Sequence, residues 1–483
     1  MQRKFITNLI FLLFLNLLVK PFWIFGIDRE VQNQVGSEVY GEYFILFNFS
    51  LLLNILLDLG ITNYNNRNIS RNRQLLPQHL PAIIVLKLFL GLFYLLVTGI
   101  CAFYLQFSAF RIQLLVLLAV NQFLVSFILY LRSNMAALHL FRIDSIVSVL
   151  DRLLMIAFCS VLLWGKWFSG PLQIEWFVYA QTLAYFLTAL GAFLFVFSKA
   201  PFKKLQIDSG FLLQIVRKSL PYALLVLLMY FYNRMDTLML DVMLANGEYA
   251  SGIYAQAYRL LDAVNMVGFL TAGLLYPIFS YLIKQEKSTG ELVEMATGLL
   301  TTIALPVVLI ATYFAEPIMQ LLYTDATTES ARLFQLLMHA FLPVCITYVF
   351  GTLLTANGSL KQLNSVAICG VAINFTLNYL LIPSYEASGS AIATLITQYL
   401  TCIAQCALAV YLFGFKIRLR KSGSYALFFL ASVVSVHFLR QSNIEWGIQL
   451  FIAAALMGFY GFAFRLINIK SMLYIIRYEK DAH

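Results

Sequence analysis

The sequence predicts an all-α polytopic membrane protein of about 14 transmembrane helices, arranged as two pseudo-symmetric six-helix lobes followed by two further helices. Three observations carry this expectation. Of 483 residues, 61% are hydrophobic and only 12% are charged, against about 45–50% and about 25% in a soluble domain. The apolar excess runs evenly from Phe5 to Ile469 in stretches of about 20 residues, the length that crosses a bilayer core of about 30 Å. The basic residues alternate between dense and sparse connections, as the positive-inside rule requires.

Taken in order, the predicted spans are 5–27, 43–63, 82–105, 112–131, 146–164, 175–197, 220–242, 253–283, 293–314, 332–356, 362–382, 387–413, 425–439 and 447–467. Met1-Gln-Arg-Lys followed by apolar residues imitates a signal peptide, but no small-residue cleavage site follows, so the run reads as the first membrane helix. With the amino terminus in the cytoplasm, 23 of the 33 basic residues lie in cytoplasmic segments and 5 in outer ones. That bias persists through every loop, so an even number of spans with both termini cytoplasmic is expected. The excess of 33 Lys and Arg over 23 Asp and Glu therefore reports topology and implies no nucleic-acid partner.

The longest connection, Ser198 to Ser219, contains the amphipathic stretch 210–218, expected to lie along the cytoplasmic surface. It divides six spans from six. The halves share a signature: Gly36-Ser-Glu-Val-Tyr-Gly41-Glu-Tyr43 and Gly247-Glu-Tyr-Ala-Ser-Gly252-Ile-Tyr254 both read G-x-x-x-x-G-x-Y, 211 residues apart, each in the outer loop before the second helix of its half. The same helix number and orientation favour a parallel repeat, with boundaries 1–205 for the first lobe, 206–413 for the second and 414–483 for the last two helices and tail.

Charge inside a bilayer costs roughly 2.5–3.5 kcal/mol per side chain on insertion scales, so the charges left inside spans face protein or water and often mark function. They gather on the leading helices of each half: Lys20, Asp58, Asp151 and Arg152, then Arg234, Asp236, Asp241, Arg259 and Asp262. Helical spacing aligns Tyr254, Tyr258 and Asp262 on the eighth span, Tyr230, Arg234 and Asp241 on the seventh, and Asn16, Lys20 and Trp23 on the first. Arg forks onto phosphate oxygens, and Tyr or Trp stacks on sugar faces, so a cavity with these groups suits an anionic, sugar-bearing ligand. Lys20, Trp23, Tyr230, Arg234, Tyr254, Tyr258 and Arg259 are the candidate substrate contacts. Asp58, Asp241 and Asp262 are candidates for a coupling proton or sodium ion. Bland alternatives stand beside these. Lys87 reads as a snorkelling residue at its helix end, Asp58 as a partner of Arg67 or Arg71, Arg259 and Asp262 as an i, i+3 pair, and the tyrosines as packing.

No H-e-x-x-H, no G-x-x-x-x-G-K-[ST] and no long outer loop with paired carboxylates and histidine occurs, and His79, His139, His339, His437 and His483 are scattered singly. The expectation is a protein that is not an enzyme, with no metal and no organic cofactor.

At this point the residues resemble a known family. The run from Val35 to Phe44, Leu57-Asp-Leu-Gly60 and Asn66-Arg-Asn-Ile-Ser70 are similar to the opening of bacterial polysaccharide transporters. These are the O-antigen and capsule flippases of the multidrug/oligosaccharidyl-lipid/polysaccharide exporter superfamily. Asn233-Arg-Met-Asp236, Met239-Leu-Asp241, Ala257-Tyr-Arg-Leu260 and Pro277-Ile-Phe-Ser280 resemble the family's seventh and eighth helices. The segment Gly26 to Gln34 departs from the family, being far more polar than the usual end of the first helix. The resemblance implies two lobes around a central cavity in a bacterial inner membrane. Its cargo would be an undecaprenyl-pyrophosphate-linked oligosaccharide, an O-antigen, capsule or exopolysaccharide unit, moved outward by alternating access with cation coupling. Arg234, Arg259 and Lys20 would then be cavity cations. The partners implied are the lipid-linked substrate, the lipid bilayer, a glycan polymerase and other assembly proteins, the transporter itself being a monomer. The rivals are a cation-coupled multidrug exporter of the same superfamily and a membrane glycan polymerase or ligase.

Overall fold

In a computed structural model of the chain, residues 15–62, 65, 69, 74, 76–138, 140–165, 170–199, 209–415, 419–464 and 466 are described. Residues 5–14 of the first predicted span, most of Asn66 to Ser70, and both termini, whose cytoplasmic placement the charge bias predicts, lie outside them. The chain divides into two compact units, residues 1–252 and 253–483.

In the first unit the chain is helical from Leu15, passes through a π-helical turn at Trp23–Asp28, and continues as α1, Arg29–Val35. Gly36, at φ +83°, breaks it and starts α2, Ser37–Leu52. Then follow α3 (Leu76–Tyr104), α4 (Ala109–Ala137), α5 (Phe141–Trp164), α6 (Ile174–Lys199) and α7 (Ser209–Met243). α4 packs on α2 and α6, α5 on α6, and α7 on α2. Ser108 caps α4 by accepting a hydrogen bond from the Arg111 amide at 3.2 Å, which fixes the start of that helix after the short turn from α3.

α8, Gly247–Lys284, begins in the first unit and continues into the second. The second unit adds α9 (Gly290–Leu322), α10 (Thr328–Ala356), α11 (Leu360–Phe413), α12 (Leu419–Gln441) and α13 (Trp446–Ala463). α10 starts with a capping box in which Thr327 and Ser330 satisfy each other's backbone amides, and it packs on both α9 and α11. The last two helices pair and dock on α9 through Leu309, Phe314, Val436, Ala453 and Met457, with the Arg440 guanidinium 5.1 Å over the Phe314 ring.

The chain is all-α and multi-pass: among the described residues, eleven helices are long and apolar enough to cross a membrane. Several boundaries differ from expectation for local reasons. The span predicted at 43–63 starts earlier and stops at Leu52. Its end winds into a 3-10 turn, Asn54–Leu57, and Leu59 and Gly60 take positive φ (+45° and +80°), which halts the helix. The spans predicted at 362–382 and 387–413 are two helices that meet without a loop: within α11 they are joined at a sharp kink, where Glu386 adopts φ +49° after Pro383. The amphipathic stretch 210–218 is continuous with the seventh span inside α7 rather than a separate surface helix.

Candidate functional site

The polar end of the first helix faces protein, which explains its composition. Asp28 is 3% exposed and accepts a hydrogen bond from the Tyr40 hydroxyl at 2.8 Å, and Gln32, 1% exposed, donates to the Gly252 carbonyl at 3.0 Å. The π turn adds a residue to the helix just after Pro21, a distortion often found at functional sites.

On that helix the stripe Asn16, Lys20 and Trp23 meets α5. The Asn16 amide donates to Ser148 Oγ at 3.2 Å. The Arg152 guanidinium lies 5.5 Å over the ring of Trp23 and 5.9 Å over that of Tyr185, and Trp23 also stacks on Phe177 with ring centroids 5.8 Å apart. Lys20, half-buried, lies within electrostatic reach of Asp151, Arg152 and Arg132. Arg132 is bound to Asp144 at 2.7 Å, and Asp151 is 3.8 Å from Arg152. The three cations and two carboxylates therefore leave the cluster net positive, and two aromatic rings fix the direction of one guanidinium. Trp23 is buried, so its ring serves Arg152 in this conformation.

A second cluster lies at the other end of this unit. Arg111, in the first turn of α4, donates from Nε to Glu42 at 3.1 Å, from Nη1 and Nη2 to the two oxygens of Asp241 at 2.8 and 2.9 Å, and from Nη2 to Glu248 at 2.7 Å. Phe107 lies 5.5 Å beneath the guanidinium. One side chain thus joins α2, α4, α7 and α8. Beside it, Gly41 and Gly252, the equivalent glycines of the two repeats, cross backbone to backbone. A Cβ on Gly41 would stand 1.9 Å from the Glu248 carbonyl oxygen, and one on Gly252 1.8 Å from that of Ser37. Glu248 and Ser37 occupy matching positions of the two sequence motifs, so the contact is reciprocal.

A third group surrounds the break after α2. Lys87 Nζ, on α3, bonds Asp58 Oδ1 at 2.5 Å, Ser126 Oγ at 2.8 Å and the Leu57 carbonyl at 3.2 Å. Lys87 is 1% exposed, so it does not snorkel. Backbone freed by the broken helix needs a donor from the protein at membrane depth, and this ammonium supplies it. Asp58 also accepts from the Thr62 hydroxyl. Its expected partners, Arg67 and Arg71, lie outside the described residues.

The remaining predicted residues are placed as follows. On α7, Tyr230 and Arg234 are half-buried and Asp236 is 1% exposed. On the part of α8 in the second unit, Tyr254 and Tyr258 are buried and stack with ring centroids 5.6 Å apart, while Arg259 and Asp262 are half-buried. The Gln256 amide, on the same helix, donates to Asp325 at 2.8 Å, and the Tyr323 hydroxyl donates to the Gln256 carbonyl at 3.2 Å. A cavity of about 920 Å³ in the second unit, lined by Glu286, Lys287, Glu291, Phe350, Phe413 and Tyr425, includes none of the predicted site residues. Among the described residues no group of three His, Cys, Asp or Glu could hold a metal ion.

Arg111, Glu42 and Glu248 were not predicted as site residues. Arg111 reads from sequence as an outer-loop cation. The available signal was that Glu42 and Glu248 both stand inside the two G-x-x-x-x-G-x-Y repeats.

Among solved structures, the chain is similar to the lipid II flippase MurJ in an inward closed conformation, with TM-score 0.66, 12% identity, and 97% of this chain and 99% of that one covered. It is similar to a multidrug resistance MATE family transporter of the MOP superfamily in an inward-facing conformation, with TM-score 0.63, 15% identity and coverage of 83% and 98%. A MOP superfamily transporter from Pyrococcus furiosus with a binding pocket of reversed polarity gives TM-score 0.56, 15% identity and coverage of 84% and 94%. Each of these relatives is a transporter or a flippase, and the likeness establishes the fold. No curated protein matches the sequence. The family model described as polysaccharide biosynthesis protein matches residues 8–283, more than half of the chain. The chain is a multi-pass membrane protein belonging to the polysaccharide biosynthesis protein family.

Proposed function

We propose that the chain is an alternating-access transporter of the bacterial inner membrane that carries a lipid-linked oligosaccharide outward. The observation that carries the cargo assignment is membership of the polysaccharide biosynthesis protein family over residues 8–283. The likeness to a lipid II flippase along 97% of the chain supports it, as does the net positive cluster around Lys20. In this reading residues 1–205 and 206–413 are the two lobes, 414–483 the appended helices and tail, and the total is 14 spans. Lys20, Arg234 and Arg259 recruit the pyrophosphate. Arg152, held over Trp23 and Tyr185 close to Lys20, joins them. Tyr230, Tyr254 and Tyr258 belong to the glycan's path, and the polyprenyl tail stays in lipid.

For coupling, Asp58 and Asp241 each hold a cationic side chain, so a proton or sodium ion there would have to displace Lys87 or Arg111. Asp262 is the third candidate. A glycan polymerase and other assembly proteins would act on the delivered product.

The second reading is a cation-coupled multidrug exporter. On fold likeness it has the stronger support, because MATE family transporters recur among the similar structures. Such an exporter needs carboxylates facing its cargo, whereas the Lys20 cluster is net positive. The two readings separate in a deletion strain complemented at matched protein levels. Arg234→Ala and Arg259→Ala are each expected to lower surface glycan at least tenfold. Unchanged glycan in both variants, with altered susceptibility to cationic dyes, would favour the exporter.

A further inference from the structure

The three carboxylates Glu42, Asp241 and Glu248 converge on one guanidinium, and beside them α2 and α8 cross at bare glycines. We propose that Arg111 is a positioning residue of the transport cycle: it latches the outer ends of α7 and α8 to those of α2 and α4, and the outward opening of the transporter requires its release. The inference rests on alternating access but not on the identity of the cargo.

The geometry separates this from ordinary surface pairing. Arg111 uses Nε, Nη1 and Nη2 at once, with a two-pronged bond to Asp241, the arrangement in which Arg differs most from Lys. Its partners lie 69, 130 and 137 residues away in sequence, so the contact ties separate helices. The side chains of Arg111, Asp241 and Glu42 are 13%, 10% and 20% exposed, which limits screening of these two pairs by water and salt, whereas Glu248 is 42% exposed. The charged groups facing one another here are Glu42 from α2, Arg111 from α4, Asp241 from α7 and Glu248 from α8.

The sign of the effect follows from the count. With Arg111 in place, each carboxylate is drawn to a common centre. Without it, three negative charges face each other across the crossing, and repulsion drives α7 and α8 away from α2. The glycine contact beneath sets backbone against backbone, with the Gln32 amide bonded to the Gly252 carbonyl beside it, so its parting costs that bond. A residue that merely filled space would show no such dependence on the neighbouring carboxylates.

The test uses the full chain in liposomes, with its native cysteines replaced and Ser251→Cys as reporter. Ser251, next to Gly252, is fully buried and its hydroxyl faces the Thr237 carbonyl at 3.4 Å. A membrane-impermeant charged maleimide is added on the side opposite the basic loops, without substrate. Arg111→Gln is expected to raise the labelling rate at least fivefold. Adding Glu42→Gln and Glu248→Gln to Arg111→Gln removes most of the repulsion and is expected to return the rate most of the way to that of the parent. Arg111→Lys, which keeps the charge and loses the fork, should fall between and serves if Arg111→Gln does not fold. An unchanged rate in Arg111→Gln or Arg111→Lys overturns the latch. So does a triple variant that labels as fast as Arg111→Gln alone, which would mean that Arg111 acts only as structural filling.

Discussion

Gly41→Ala and Gly252→Ala should each destabilise the protein sharply, although each adds one methyl group. The added Cβ would lie 1.9 or 1.8 Å from a backbone carbonyl oxygen on the opposing helix, well inside contact distance, and a backbone cannot rotate away as a side chain can. The helices must therefore separate by more than an ångström, which breaks the buried Gln32 bond to Gly252. Overpacking of this kind costs about 1–3 kcal/mol and occasionally more. The expected result is a clear drop in melting temperature in detergent for each variant. Because the contact is reciprocal, the double variant should cost less than the sum of the two. Gly191→Ala is the control: its Cβ meets nothing within 4 Å, so helix propensity should leave stability unchanged or raise it by up to about 1 kcal/mol. Equal losses at all three positions would show that the crossing has no special weight.

The second large effect is expected at Lys87. Lys87→Met removes the donor that holds Leu57, Asp58 and Ser126 together and leaves the Asp58 carboxylate, 24% exposed, without the Lys87 cation. Breaking one side of a buried pair costs about 3–5 kcal/mol, whereas replacing both partners by neutral groups of similar size is often far milder. Lys87→Met and Asp58→Asn should each lower the melting temperature strongly, and Lys87→Met with Asp58→Asn should recover a large part of the loss. If the double variant were as unstable as the sum of the singles, the pair would not be the unit that holds the α2 break.

These two sites show what could be read from the sequence and what could not. The apolar runs, the loop charges and the paired glycine motifs are one-dimensional signals, and from them the multi-pass helical fold is legible. The break after Leu52 is not, since the helix gives way inside an apolar run to a 3-10 turn at Asn54–Leu57, and the positive φ angles at Leu59 and Gly60 come only after it. Lys87 looked like a snorkelling residue because its partners come from the α2 break and α4, and no spacing rule relates them. Within the candidate site, the stripe Asn16, Lys20 and Trp23 could be read because it follows one helix, although the π turn beyond Pro21 could not. Arg111 was hidden for the opposite reason. An arginine beside a corner reads as loop charge, and only folding brings three distant carboxylates onto it.

The most direct measurement is protein-dependent translocation in proteoliposomes. An undecaprenyl-pyrophosphate-linked oligosaccharide is placed in one leaflet, and its arrival in the other is followed by the accessibility of its glycan to an external glycan-modifying enzyme. Translocation by the parent protein, lost in Arg234→Ala with Arg259→Ala, is the expected result. Absence of translocation by folded parent protein, together with gradient-driven movement of a cationic dye by the same vesicles, would contradict the lipid-linked oligosaccharide as cargo.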